Sequence, residues 1–368
     1  MGVNFRAALG DVSPYQAGSN GEGEARRGRV EKVLLAQNED AYGPVPAAQR
    51  AIQEEAARGH RYPEAGFAVL KRQIAAHHRI SEDNIFPAAG SCAVFHYLSL
   101  CLLDPGDEVV FCSPTFSAYR LEALKMGAVP VSVPLDAEGA YDPAGLLAAI
   151  TDRTKIVYVA NPNNPTGGLV TRASLSAFLD AVPGHVLTVI DEAYFDYVDD
   201  PAYPDSIVEF FSEERPVVVT RTFSKIFGLA GLRVGYGVLP ADIARKLSKV
   251  QMPFEINRFA VAAATATLQA DPAEIRRRRE ATAEGRLRLV GELTAAGYPP
   301  LPASANFLQV PVGDAAAVAH DLAELGVLVR PLGSWGQPDA IRVTVGTAEE
   351  TTRFLDAFRS VMATGRTS

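Results

Sequence analysis

What this sequence has little of narrows its chemistry first. Only three cysteines occur in 368 residues, Cys92, Cys101 and Cys112, and none are in CxxC spacing. Neither a disulfide framework nor a zinc knuckle is expected, no metal site is indicated, and the three read as packing residues. No run supplies the roughly 18 unbroken apolar residues that a membrane helix needs. The N-terminal stretch MGVNFRAALGDVSPYQ lacks a basic region followed by an apolar core, so a cytoplasmic protein is expected. An excess of positive charge is missing too: 35 Lys and Arg against 43 Asp and Glu leave a net charge of -8, which speaks against a nucleic-acid partner. The one basic run, Arg276 to Arg279, sits among glutamates on a helical pattern and reads as a solvated or interdomain helix face.

The length predicts about two domains, or one large α/β domain with an appendage. The first forty residues, punctuated by Gly, Ser and charge as in QAGSNGEGEARRGR, read as an arm or loop. From about Pro44, helical periods alternate with short runs rich in Val, Ile and aromatics, the pattern of a mostly parallel sheet flanked by helices. Helices are expected over Phe67 to His78, Cys92 to Leu103 and Arg172 to Val182. Strands are expected at DEVVFC, KIVYVA, HVLTVI, PVVVT and GYGVL. After about Asp271 a charged helix and the runs NFLQVPV, GVLVRPL and AIRVTVGT form a second block. The expected division is an arm over 1–40, a large domain over 41–270 and a smaller α/β domain over 271–368, completed by the arm.

The segments that follow the strands carry the chemistry. VVFC leads into SPTFSAY, IVYVA into NPNNPTG, LTVI into DEAYFDY and VVVT into RTFSK. In an open parallel sheet these ends share one edge, where ligands bind. One cleft therefore collects Phe116, Asn164, Asp191, Tyr194, Ser224 and Lys225. Taken singly each has an ordinary reading. Lys225 could be a surface lysine, Asp191 a helix cap or ion pair, Asn164 the closure of an Asn-Pro turn, and Tyr194 a packing residue. Gly90 and Ser91 in AAGSCAVF could be a turn and an N-cap, or a phosphate cradle at a helix N-terminus. Together they meet the needs of pyridoxal phosphate: an amine, a carboxylate for the ring nitrogen, donors for the phenolate oxygen, an aromatic face and a phosphate cradle.

NPNNPTG, IDEAY and TFSKIFGLAGLRVGY, in this order, resemble the class I/II pyridoxal phosphate aminotransferases of fold type I. The likeness runs from LLAQNEDAYGP to AIRVTVGT and is nearest the histidinol-phosphate aminotransferase branch with its actinobacterial aromatic relatives. It implies that Lys225 bonds the cofactor, that Asp191 partners its ring nitrogen, that Asn164 and Tyr194 bind the phenolate oxygen, and that Phe116 stacks on the ring. Gly90, Ser91, Cys92, Thr222, Ser224 and Arg233 would hold the phosphate. Tyr62 of RYPEAG would reach that phosphate in a partner subunit, which implies a homodimer. Arg342 matches the arginine for the substrate α-carboxylate, with a strand-edge salt bridge as its ordinary alternative. Asn306 would assist it, and Arg330 and Tyr15 would meet substrate side chains. The implied activity is ping-pong transamination between an amino donor, histidinol phosphate or an aromatic amino acid, and a 2-oxo acid such as 2-oxoglutarate. Small or apolar residues after Gly90 and Ser91, where many histidinol-phosphate enzymes carry acids, tilt the reading toward aromatic donors. A decarboxylase of the same fold, resembling threonine-phosphate decarboxylase, is the alternative.

Overall fold

The computed structural model describes residues 3–14 and 32–363; Tyr15 lies outside the described residues. In chain order the strands are β1 (Val33–Leu34), β2 (Ile85–Ala88), β3 (Glu108–Ser113), β4 (Val129–Pro134), β5 (Thr154–Ala160), β6 (Leu187–Asp191), β7 (Val217–Thr222), β8 (Gly235–Val238), β9 (Phe307–Pro311), β10 (Val327–Leu328), β11 (Arg330–Pro331) and β12 (Ala340–Thr344). Seven of them form one sheet in the order β2-β8-β7-β6-β5-β3-β4, with β4, β3, β5, β6 and β7 mutually parallel. The runs of β6 and β7 are buried throughout because helices cover both faces, which is why they read as continuous apolar stretches and not as alternations.

GYGVL is indeed a strand, but β8 runs antiparallel to both its neighbours. The chain reverses directly after β7, with Phe223 N–H donating to Val234 O at 3.1 Å, and a direct reversal without a crossover helix yields an antiparallel pair. The expected helices appear at Ala68–His78, Ser91–Leu102 and Arg172–Ala181. Thr171 caps the last of these by accepting from Ser174 N–H. IFPA and VPVSVP, not expected as strands, form β2 and β4; one proline in the first and two in the second masked the pattern.

One core cluster spans Val45 to Ala264, and a second joins Val33 and Leu35 to side chains between Leu289 and Phe358. The first forty residues are thus not purely a loop: β1 pairs in parallel with β10. Between the two clusters a third, smaller one packs Tyr194, Tyr197 and Ile226 against Ala305 and Phe307. Arg258–Gln269 ends at Ala270, and Asp271 then caps the long helix Pro272–Ala295, accepting from Ala273 N–H at 2.8 Å.

The expected solvated or interdomain face of Arg276 to Arg279 divides between the two: Arg276 and Arg277 are exposed, whereas Arg278 turns inward. Arg278 is 1% exposed and shares the inward stripe of its helix with Thr282, Leu289 and Leu293. Its guanidinium is satisfied by Asp40 at 2.9 Å, Glu274 at 2.8 Å and the carbonyl of Ile226 at 3.1 Å, the condition under which a buried charge is tolerated. Among the described residues no helix is long and apolar enough to cross a membrane.

Candidate active site

The C-terminal ends of β5 and β6 are level and β7 runs two residues further, since Ala160 pairs with Asp191 and Asp191 with Thr220. Above them opens a cavity of about 590 Å³. Lys225 enters it from the turn after β7. That turn folds tightly onto the backbone at Gly43: Gly228, at φ +71°, would place a Cβ 2.0 Å from the Gly43 carbonyl oxygen, so only glycine fits there. Lys225 Nζ donates to the carbonyls of Gln37 at 3.2 Å and Asn38 at 3.0 Å. Burial, helped by the Arg342 guanidinium, pulls its amine down to about 7 from an ordinary value of 10.5.

Asp191, 6% exposed, closes the end of β6. Tyr119 Oη donates to its Oδ2 at 2.6 Å, and Thr220 Oγ1 and Ala193 N–H donate to its Oδ1 at 3.2 Å each. Burial raises the carboxyl above its usual range, and these donors oppose the rise. Tyr194 lies beside Lys225, its ring centroid 5.4 Å from Nζ, its hydroxyl accepting from Asn38 Nδ2 at 3.0 Å.

Of the asparagines in NPNNPTG only one faces the cavity. Asn161 is tied to Val170 through both its amide groups, and Asn163 is held by Thr115, Thr166 and the Pro114 carbonyl. Asn164 lines the cavity and accepts from Arg342 Nη1 at 2.5 Å. Arg342 stands in β12, buried, with Nη2 donating to Ala36 O at 2.8 Å. Asn306 is buried and is not among the residues lining the cavity. Its Nδ2 donates to the carbonyls of Asn38 and Glu39 at 3.2 Å each, so it supports the segment from which Lys225 takes its acceptors.

A second corner collects backbone donors and one cation. Ser91 opens the helix Ser91–Leu102, and a Cβ on Gly90, at φ +86°, would fall 2.6 Å from Arg233 Nη2. Arg233 Nη1 donates to Ser224 Oγ at 3.2 Å, and Thr222 Oγ1 accepts from Ser224 N–H at 3.1 Å. Cys92 lines the same corner, and burial pushes its thiol up to about 11, so it is a neutral packing group and not a nucleophile. Phe116 lines the wall nearby, edge-on to Tyr119. On the far side Arg330 lies 4.9 Å from the ring of Trp335, which also meets Arg342 at 5.8 Å. Tyr62 is outside this cavity: it is 78% exposed and stacks on Phe254 at 4.7 Å.

The family model described as aminotransferase class I and II matches residues 30–358. The chain is 39% identical to the histidinol-phosphate aminotransferase of Moorella thermoacetica, covering 97% of this chain and 93% of that one. It is 41% identical to the aromatic amino acid aminotransferase of Rhodococcus jostii, covering 96% and 95% respectively. The chain belongs to the class I and II aminotransferases. Its structure is similar to that of the Sinorhizobium meliloti histidinol-phosphate aminotransferase in complex with pyridoxal-5'-phosphate, with a TM-score of 0.88, 27% identity and 98% of each chain covered.

Family membership and full-length relatives named as aminotransferases make the chain an aminotransferase and do not favour the decarboxylase alternative. The aminotransferase cavity also contains residues that sequence reasoning missed. Tyr119 sits one helical turn beyond Phe116 in SPTFSAY, a spacing that places both on one side of the helix start. Trp335 lies between the two arginines of the second block, and its Nε1–H donates to Thr115 O at 2.8 Å. Asn38 adopts φ +56°, a conformation asparagine tolerates better than most residues. Nothing in LLAQNEDAYGP announced that its carbonyl would face Lys225.

Proposed function

We propose that this aminotransferase works with pyridoxal 5'-phosphate and moves an amino group between an aromatic amino acid and a 2-oxo acid such as 2-oxoglutarate, in ping-pong fashion. The observation that carries this reading is the placement of Lys225, its amine lowered to about 7, in one cavity with the carboxylate of Asp191. The residues fit the cofactor. Gly90 leaves no side chain where the Arg233 guanidinium meets the helix N-terminus, and that corner suits a phosphate. Asp191 is a buried acid lacking a neighbouring arginine or lysine ion pair at contact distance among the described residues, so a cationic ring nitrogen is a fitting partner.

When bound, the cofactor supplies an electron sink for the bond cleaved at the substrate Cα. This chain's own residues do the rest. Lys225 would hold the cofactor through its amine and, with that amine free, would take the Cα proton as general base. A base poised near neutrality does both tasks without a large deprotonation cost. Asn164 and Tyr194 would hold the phenolate oxygen, Phe116 would cover the ring, and Ser91, Cys92, Thr222, Ser224 and Arg233 would hold the phosphate. Arg342 receives the α-carboxylate, for which a planar guanidinium is suited.

The ring of Trp335 on the cavity wall favours an aromatic donor. Arg330 in the same cavity supports a second reading, in which a phosphorylated donor such as histidinol phosphate is accepted. We also assign the working unit as a homodimer in which Tyr62 serves the partner's phosphate corner. Tyr62 lies outside its own cavity, and Phe254, on which it stacks, is exposed at 40%, as an apolar contact surface would be. The division into an arm, a large domain to residue 270 and a smaller one beyond accords with the two core clusters.

The test is a donor panel of phenylalanine, tyrosine, branched-chain amino acids and histidinol phosphate, with glutamate formation from 2-oxoglutarate as readout. Phenylalanine or tyrosine is expected to lead. Glutamate formed only from histidinol phosphate would select the second reading, and none from any donor would defeat both.

A further inference from the structure

Behind the cavity floor lies a hydrogen bond that the roles above do not use. Tyr119 is fully buried, at 0% exposure, and its hydroxyl reaches Asp191 Oδ2 at 2.6 Å. Its ring is clamped: it stacks on Tyr158 at 4.3 Å with an interplanar angle of 12°, and Phe95 and Phe116 meet it edge-on at 5.3 Å and 5.9 Å. The phenol therefore points one way. Burial and the Asp191 charge hold its hydroxyl far above the ordinary tyrosine range, so it is always a donor. Thr220 and Ala193 also donate to Asp191, but at 3.2 Å and to the other oxygen.

Building on the cofactor reading above, we propose that Tyr119 is a positioning residue that decides where the proton between Asp191 and the cofactor's ring nitrogen resides. A proton shared by two groups rests on the one with the higher proton affinity. A buried carboxylate has its affinity raised by desolvation, and each hydrogen bond donated to it lowers that affinity by stabilising the charged form. With Tyr119 in place the proton stays on nitrogen and the ring remains cationic. Without it the N–H bond lengthens, an O–H bond forms on Asp191, and the ring nitrogen keeps its lone pair. The number of protons on the pair is unchanged; only their location moves. The short bond to Oδ2 gives Tyr119 more influence than Thr220.

The test is to load wild type, Tyr119→Phe and Thr220→Val with ¹⁵N-labelled pyridoxal phosphate and read the nitrogen chemical shift, with cofactor affinity measured by equilibrium dialysis. Wild type is expected to show a protonated nitrogen. Tyr119→Phe should move toward the neutral value and bind cofactor about tenfold more weakly, the loss of one hydrogen bond to a charged group. Thr220→Val should move the same way by less. A Tyr119→Phe protein that binds the cofactor with an unchanged nitrogen shift overturns the assignment. Should that variant fail to fold by circular dichroism, an unmoved shift in Thr220→Val overturns it equally. Wild type that takes up no pyridoxal phosphate overturns both this inference and the proposed function, whereas an unmoved shift in loaded protein overturns the inference alone.

Discussion

On one side of the cavity Asn164, Asp191 and Lys225 follow or end β5, β6 and β7, three neighbours in a single parallel ladder. On the other side Arg330 and Arg342 sit in β11 and β12, which belong to a separate three-stranded sheet with β9, and Trp335 lies in the loop between them. The first wall is fixed by backbone hydrogen bonds inside one buried sheet. The second is joined to it at the rim by side chains, through Trp335 to Thr115 and Arg342 to Asn164. On the proposed function, the groups assigned to hold the reacting atoms stand on the ladder, and those assigned to the substrate's carboxylate and side chain stand on the bridged wall.

Substitutions on the two walls should therefore fail differently. Lys225→Ala removes the amine and the base together, and turnover should fall by at least about 10⁴-fold, with steady-state product formation as the check. Arg342→Lys keeps the charge but loses the fork. KM for the amino donor should rise roughly 10- to 100-fold, the worth of a charge-assisted hydrogen bond, with a smaller change in kcat. Trp335→Ala removes the ring against Arg330 and the anchor to Thr115. KM for an aromatic donor should rise about threefold to tenfold while the pyridoxal phosphate affinity holds. A loss of cofactor affinity in that variant would erase the distinction between the walls.

The smallest effect is on stability. Lys225 has a folded pKa of about 7 against an ordinary 10.5, so between those values the unfolded chain binds more protons and stability from this group rises with pH. Below about pH 7 the folded protein carries a desolvated ammonium. In the cofactor-free protein, Lys225→Met should accordingly raise Tm by a few degrees at pH 6 and by less at pH 10, measured by calorimetry. An equal shift at both values would show that the lysine is not desolvated.

Legibility followed the same divide. The ladder wall could be read in advance because a parallel strand is a continuous apolar run, and the residues after each run are forced to one edge. Arg342 and Arg330 were readable only through the resemblance of their motifs, since a lone arginine in a half-buried strand has several ordinary explanations. The contacts of Asn306 were hidden for the same reason: SANF gives its neighbourhood but not that its amide turns to the carbonyls of Asn38 and Glu39. Four consecutive arginines look uniform, so which of them faces water and which faces inward was not legible, while a period of 3.6 sends Arg278 inward.

The amino-acid sequence by itself determined the alternation of strands and helices, the edge at which the site lies, and the residue types gathered there. These are local properties, set by backbone periodicity and by which side chains water rejects. Tertiary structure alone decided that Asp191 is held by Tyr119 from another element, that Lys225 donates to carbonyls some 187 residues away in the chain, and that Trp335 closes the rim against Thr115. Those contacts depend on three-dimensional distance and on loss of water around each group, and neither quantity is encoded in any short stretch of the chain.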